Sequence, residues 1–183
     1  MKIPARFIFS ASLVAGSIFS SVTFTATQAM AASVVQAPTA QQSASSEQFL
    51  QQTRQLASKG KVSNSEFGLG TNKSVILKKW GQPDYQDTWT ISYTNRGVIF
   101  DIDPQSGVVN AIISRDPKIK KIPTSAVKKA LGSPAYADHG MGHVNLVYDN
   151  TGTGVGKNEI IYHGASGSPE AGYNLSYIQL SKK

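Results

Sequence analysis

The hydrophobic spacing of the chain switches twice from helical to alternating, each time at a glycine followed two residues later by a proline. Thr71 to Gly81 places Val75, Ile76 and Trp80 on one helical face. Thr71 can cap that helix, Gly81 can end it in a left-handed conformation, and Pro83 forbids continuation. A second run, Thr124 to Gly132, stops the same way before Pro134. Aligned on the glycines, Ser74 matches Ser125, Ile76 matches Val127, Lys78 matches Lys129 and Trp80 matches Leu131, with Tyr85 and Tyr136 following at the same offset.

After each helix the period becomes two. Trp89, Ile91 and Tyr93 alternate with Thr88, Thr90, Ser92 and Thr94, the signature of a half-buried strand. Asn95-Arg96-Gly97 turns the chain into Val98 to Asp103, and Asp103-Pro104-Gln105-Ser106-Gly107 turns it again into Val108 to Ser114. In the second half Val144 to Tyr148, Ile160 to Tyr162 and Tyr173 to Leu180 read as strands separated by glycine-rich loops. An earlier helix, carried by Phe49, Leu50, Thr53, Leu56 and Ala57, is capped by Ser45 or Ser46, stopped by Gly60 and expected to lie across the sheet. The pattern predicts an α+β fold of two tandem helix–three-strand units, about 71–115 and 124–181. Its helices pack on one face of antiparallel sheet, with one N-terminal helix added.

Composition changes the picture mainly at the N-terminus. Lys2 and Arg6 precede an uncharged, largely apolar stretch from Phe7 to Thr25, and Ala29-Met30-Ala31 offers a cleavage pattern. Residues 1–31 therefore read as a secretory signal peptide, and 32–46, small and polar, as a flexible spacer before a single domain at 47–183. The expected location is secreted or extracellular, with cell-wall association. There is no cysteine, which excludes disulfides and thiol-based zinc or redox sites. No apolar run after the signal approaches the ~20 residues of a membrane span. Without Lys2 and Arg6 the chain holds 16 basic and 11 acidic residues, net +5. That charge suits an anionic cell wall, and its scatter is no nucleic-acid signature. One cluster stands out, Lys118, Lys120 and Lys121 with Lys128 and Lys129, for which a solvated helix face is the simpler reading and a polyanion site the sharper one.

Candidate chemistry is sparse. His139 and His143 stand four apart beside Asp138, a spacing that chelates zinc on a helix, but Gly140 and Gly142 argue against a helix there. No metal and no cofactor is expected. Asp101 and Asp103 share a strand face, yet Asp103 opens a turn where Asp is favoured for backbone bonding alone. Residues 151–158 resemble a phosphate loop but lack its first Gly and its terminal Ser or Thr, and 164–167 miss the serine-nucleophile elbow by one position. The aromatic residues remain. Trp89 and Tyr93 are the expected binding residues of an open sheet face, with His139 and His143 beside the glycine-rich loops.

The Lys59-Gly60-Lys61 helix end, the Phe67-Gly68-Leu69-Gly70-Thr71 approach, Trp80-Gly81-Gln82-Pro83 and Leu131-Gly132-Ser133-Pro134 give the chain a family resemblance. Over about 47–181 it resembles the YjgB-like family of exported proteins of Bacillus-type Gram-positive bacteria, a domain of unknown function. Its helix, Gly-x-Pro, sheet unit is similar to the tandem units of the β-lactamase inhibitor protein fold. The resemblance implies an exported domain with no catalytic residues to carry over. The function expected is thus non-catalytic binding, with a secreted or wall-bound protein, such as an enzyme it modulates, as partner. The alternative is binding of cations or cell-wall polymer through Asp101, Asp103, His139, His143 and the lysine cluster. A hydrolase would need a cleft joining one of those histidines to Asp101 or Asp103.

Overall fold

The computed structural model describes residues 40–140, 142–150, 158–165 and 173–182; the expected signal peptide lies outside them. Helix α1 (Ala40–Ser58) is followed by α2 (Lys73–Trp80) and the strands β1 (Tyr85–Gln86), β2 (Thr90–Tyr93), β3 (Val98–Ile102) and β4 (Val109–Ser114). Then come α3 (Thr124–Leu131), β5 (Tyr136–Gly140), β6 (His143–Asn150), β7 (Asn158–Ala165) and β8 (Asn174–Lys182). Short 3-10 turns sit at Thr94–Arg96 and Ile119–Lys121. Helix α1 starts inside the stretch expected to be a spacer, because Ala40, Gln41 and Gln42 are adequate helix formers with no breaker among them.

The eight strands form one antiparallel sheet in the order β1-β2-β3-β4-β8-β7-β6-β5. This corrects the expectation of two helix–three-strand units: each helix is followed by four strands. The missed strands, β1 and β5, are the two edges. An edge strand pairs on one side only, and Tyr85 and Gln86 are both exposed, so neither burial nor alternation marks them in the sequence. The meanders meet where β4 pairs with β8, Ile113 opposite Gln179.

Each helix is fastened to its meander by the same bonds. Val109 N–H donates to the Thr71 carbonyl at 2.9 Å, and Leu175 N–H to Ile122 at 2.8 Å. Lys73 N–H reaches the Gly107 carbonyl at 2.9 Å, and Thr124 N–H that of Tyr173 at 2.7 Å. Both helices end on a glycine at positive φ, Gly81 (80°) and Gly132 (81°), where a side chain would be strained. The Tyr93 hydroxyl donates to the Gly81 carbonyl at 2.8 Å, and the Tyr148 hydroxyl to that of Gly132 at 2.9 Å. Helix α2 is capped not by Thr71 but by Asn72, whose side chain accepts from Ser74 N–H at 2.9 Å.

Alternate strand positions, among them Ile91, Phe100, Ile112, Leu146, Tyr162 and Ile178, are buried with Leu50, Ile76 and Val127 of the helices in one core. Helix α1 lies on α3, β6 and β7 rather than across the whole sheet. It is held there by Gln51 Nε2 on the Ala130 carbonyl (2.5 Å) and Arg54 on that of Leu131 (3.4 Å). The other half fills the matching space with aromatic side chains: Phe67 packs edge-on against Trp80 and Phe100, with ring centroids 5.0 and 6.4 Å apart. Val75, expected inward, is 50 % exposed. No described helix is long and apolar enough to cross a membrane.

Candidate functional site: the helix-free face of the sheet

Strand geometry sends every second side chain to the face opposite the helices. Paired register lines these up into rows. The central row crosses the whole sheet: Tyr85 opposite Ser92, then Ile99, Ile113, Gln179, Ile161, Val147 and Tyr136. Six of its eight members are aliphatic or aromatic. Its interior members are half-buried by their neighbours, and the terminal Tyr85 and Tyr136 are 55 % and 62 % exposed.

Polar rows flank this strip. One contains Thr90, Asp101, Ala111, Ser181, Glu159 and Asp149. The other contains Tyr177, His163, Asn145 and Asp138. Burial lifts the Asp101 carboxyl above the usual range, the charge of Asp87 adds to that, and a 3.4 Å bond from the Thr90 hydroxyl opposes it. His163 stacks on Tyr177 with ring centroids 4.0 Å apart, and the Ser176 hydroxyl donates to its carbonyl at 3.0 Å. Burial pushes the His163 imidazole down to about 4 against an opposing hydrogen bond with Gln179, so the ring is neutral at neutral pH. Its Nε2 is buried without a hydrogen-bond partner.

The four residues singled out from sequence do not assemble. Trp89 precedes β2 and is 61 % exposed, while Tyr93, two residues on, is buried and spends its hydroxyl on Gly81. Tyr93 is therefore a core residue. His139 and His143 lie on a hairpin, and the register sets them on opposite faces: His139 pairs with Val144, a core position, whereas His143 pairs with Gly140 on the open side. His143 Nε2 is 3.6 Å from Asp138. Asp101 on β3 and His143 on β6 are separated by β4, β8 and β7, so the cleft a hydrolase would need is not formed by them. Asp103 takes the turn role, accepting from Gln105 N–H at 2.8 Å and Ser106 N–H at 3.3 Å. Among the described residues no three of His, Cys, Asp and Glu gather closely enough to hold a metal ion. Of the phosphate-loop look-alike at 151–158, residues 151–157 lie outside the described residues and Asn158 begins β7.

Strict alternation does not mark the central row. Its signal was present as adjacent apolar pairs, Ile99-Phe100, Ile112-Ile113, Ile160-Ile161 and Leu146-Val147, which mean that both faces of a strand carry apolar side chains.

A family profile described as a domain of unknown function (DUF4309) matches residues 50–153, more than half of the chain, and the protein belongs to that family. No curated protein and no solved structure matches it. Neither the YjgB-like name nor the β-lactamase inhibitor architecture is carried by the match. The matched stretch runs from α1 through β6, whereas β8, which joins the two meanders, lies beyond it.

Proposed function

We propose that this DUF4309 protein is an exported, non-catalytic binding domain of the cell envelope or its surroundings, and that its helix-free sheet face docks a folded protein of that compartment. The export reading rests on Lys2, Arg6, the uncharged run 7–25 and Ala29-Met30-Ala31. The YjgB-like resemblance belongs to the same proposal. Sequencing the N-terminus of protein recovered from the medium tests the export step; a mature chain beginning just after Ala31 is expected.

The observation that carries the docking reading is the row from Tyr85 to Tyr136, apolar at six of its eight positions. Eight strands about 4.8 Å apart make it roughly 34 Å long. An apolar centre, polar margins and exposed tyrosines are the anatomy of a protein interface. A protein partner is favoured over a lone small ligand because the apolar positions extend along a line rather than converging in a pocket.

The test compares capture from the medium of the protein's own cells by the full chain, by Ile99→Thr/Ile161→Thr and by Val75→Thr. Threonine keeps the β preference while removing apolar area. The proposal expects one protein bound in fixed stoichiometry by wild type and Val75→Thr, resistant to salt, and lost with the double variant. Retention by the double variant overturns it. So does a dimer of this chain that the double variant dissolves, since the face would then be covered by a second copy.

A further inference from the structure

We infer that the crevice beneath the N-terminal half of α1, on the opposite side of the sheet from the proposed docking face, binds a phosphodiester polymer. The inference does not depend on the open-face reading.

The crevice follows from how α1 is anchored. Its bonds to the body come from its C-terminal half, at Gln51 and Arg54. Nearer its start, Ser46 and Phe49 are half-buried, with Gln42 and Glu47 exposed beside them. Two cavities open there, of about 270 and 390 Å³, and Gln42, Ser46 and Lys121 line both. The first reaches Lys129 and Ser125 on α3, and the second reaches Lys118. Lys118-Ile119-Lys120-Lys121 folds as a turn because Ile119 is fully buried and Ile122 nearly so, which leaves the lysines no direction but outward.

Lys118, Lys121 and Lys129 thus line two adjoining cavities, and Glu47 is the only carboxylate among the described residues of their linings. None of the three lysines makes a salt bridge among the described residues; the lysine pair found there is Lys79 with Glu66, on the other half. Lysine charges that outnumber the one carboxylate beside them are offset by a polyanion. Two cavities sharing one lysine suit a ligand with anionic groups separated by a short neutral linker, and the Ser46 and Ser125 hydroxyls and the Gln42 amide supply hydrogen bonds beside the charges. A phosphodiester-linked polyol has that chemistry.

The test measures binding of the full chain to poly(glycerol phosphate) and, separately, to poly-γ-glutamate. It uses wild type, Lys118→Gln/Lys121→Gln/Lys129→Gln and, as an equal-charge control, Lys59→Gln/Lys61→Gln/Lys78→Gln. Wild type and control are expected to bind poly(glycerol phosphate) alike, and the crevice variant at least tenfold more weakly. Releasing about three counterions would make wild-type affinity fall on the order of twentyfold between 50 and 200 mM salt. Equal loss in both variants would show a diffuse charge effect and overturn the site. Unchanged binding by the crevice variant, or preference for poly-γ-glutamate, would overturn it as well. Capture of the protein partner by the crevice variant is expected to be normal, which separates failure here from failure of the docking face.

Discussion

The two faces of the sheet are built from the same strands, yet they meet different fates. On one, Ile91, Phe100, Ile112, Leu146, Tyr162 and Ile178 are sealed under helices; on the other, Ile99, Ile113, Val147 and Ile161 form a row that no described helix covers. Phe100 and Ile99 are adjacent in sequence but differ in what their burial stabilises. The sealed face accounts for the fold. The open face leaves Ile99, Ile113, Val147 and Ile161 half-buried, and that is the basis for the proposed partner.

Substitutions on the two faces should separate this sharply. Phe100→Ala or Tyr162→Ala removes a fully buried ring and is expected to cost about 3–5 kcal/mol in urea unfolding. Ile99→Thr or Ile161→Thr should cost about 1 kcal/mol or less, since the side chain is half-exposed and threonine keeps the strand preference. Equal costs on both faces would mean that the open row is structural. Next in size, Gly81→Ala and Gly132→Ala should each cost about 2 kcal/mol. Nothing lies within 4 Å of an added Cβ at either position, so the whole effect is backbone strain. Tyr93→Phe and Tyr148→Phe should each lose about 1 kcal/mol through the missing hydroxyl bond to the helix-ending glycine.

An effect of similar size lies in pH. The His163 pKa is depressed in the folded protein, so the unfolded chain binds more protons between pH 6.5 and about 4. Stability should therefore fall as pH drops through that window, by about 1 kcal/mol once the partial exposure of the ring is allowed for. His163→Phe should flatten that part of the profile in chemical denaturation followed across pH. Asp101, whose pKa is raised, contributes the opposite slope, with stability falling as pH rises through its folded pKa.

Much of the sealed face was legible in the sequence. The Gly-x-Pro stops fixed the ends of α2 and α3, and the period-two runs located the strands that are buried on the helix side. The edge strands were not legible, because Tyr85-Gln86 and Tyr136–Gly140 pair on one side and bury little. The open row was missed for a related reason. Which apolar residue of a pair such as Ile160-Ile161 points outward depends on register, and that is set by partners distant in sequence, here Leu180 and Gln179. Trp89 and Tyr93 were joined by the same alternation, but the strand begins only at Thr90, leaving Trp89 outside and Tyr93 within the core.

Side-chain protection of Tyr85 and Tyr136 on binding the captured partner is the most direct test of the docking face. Hydroxyl-radical labelling of the complex is expected to protect both tyrosines, which lie at opposite ends of the row, and to leave Val75 on the helix side as reactive as in the free protein. Protection of Val75 with both tyrosines still fully reactive would contradict the account.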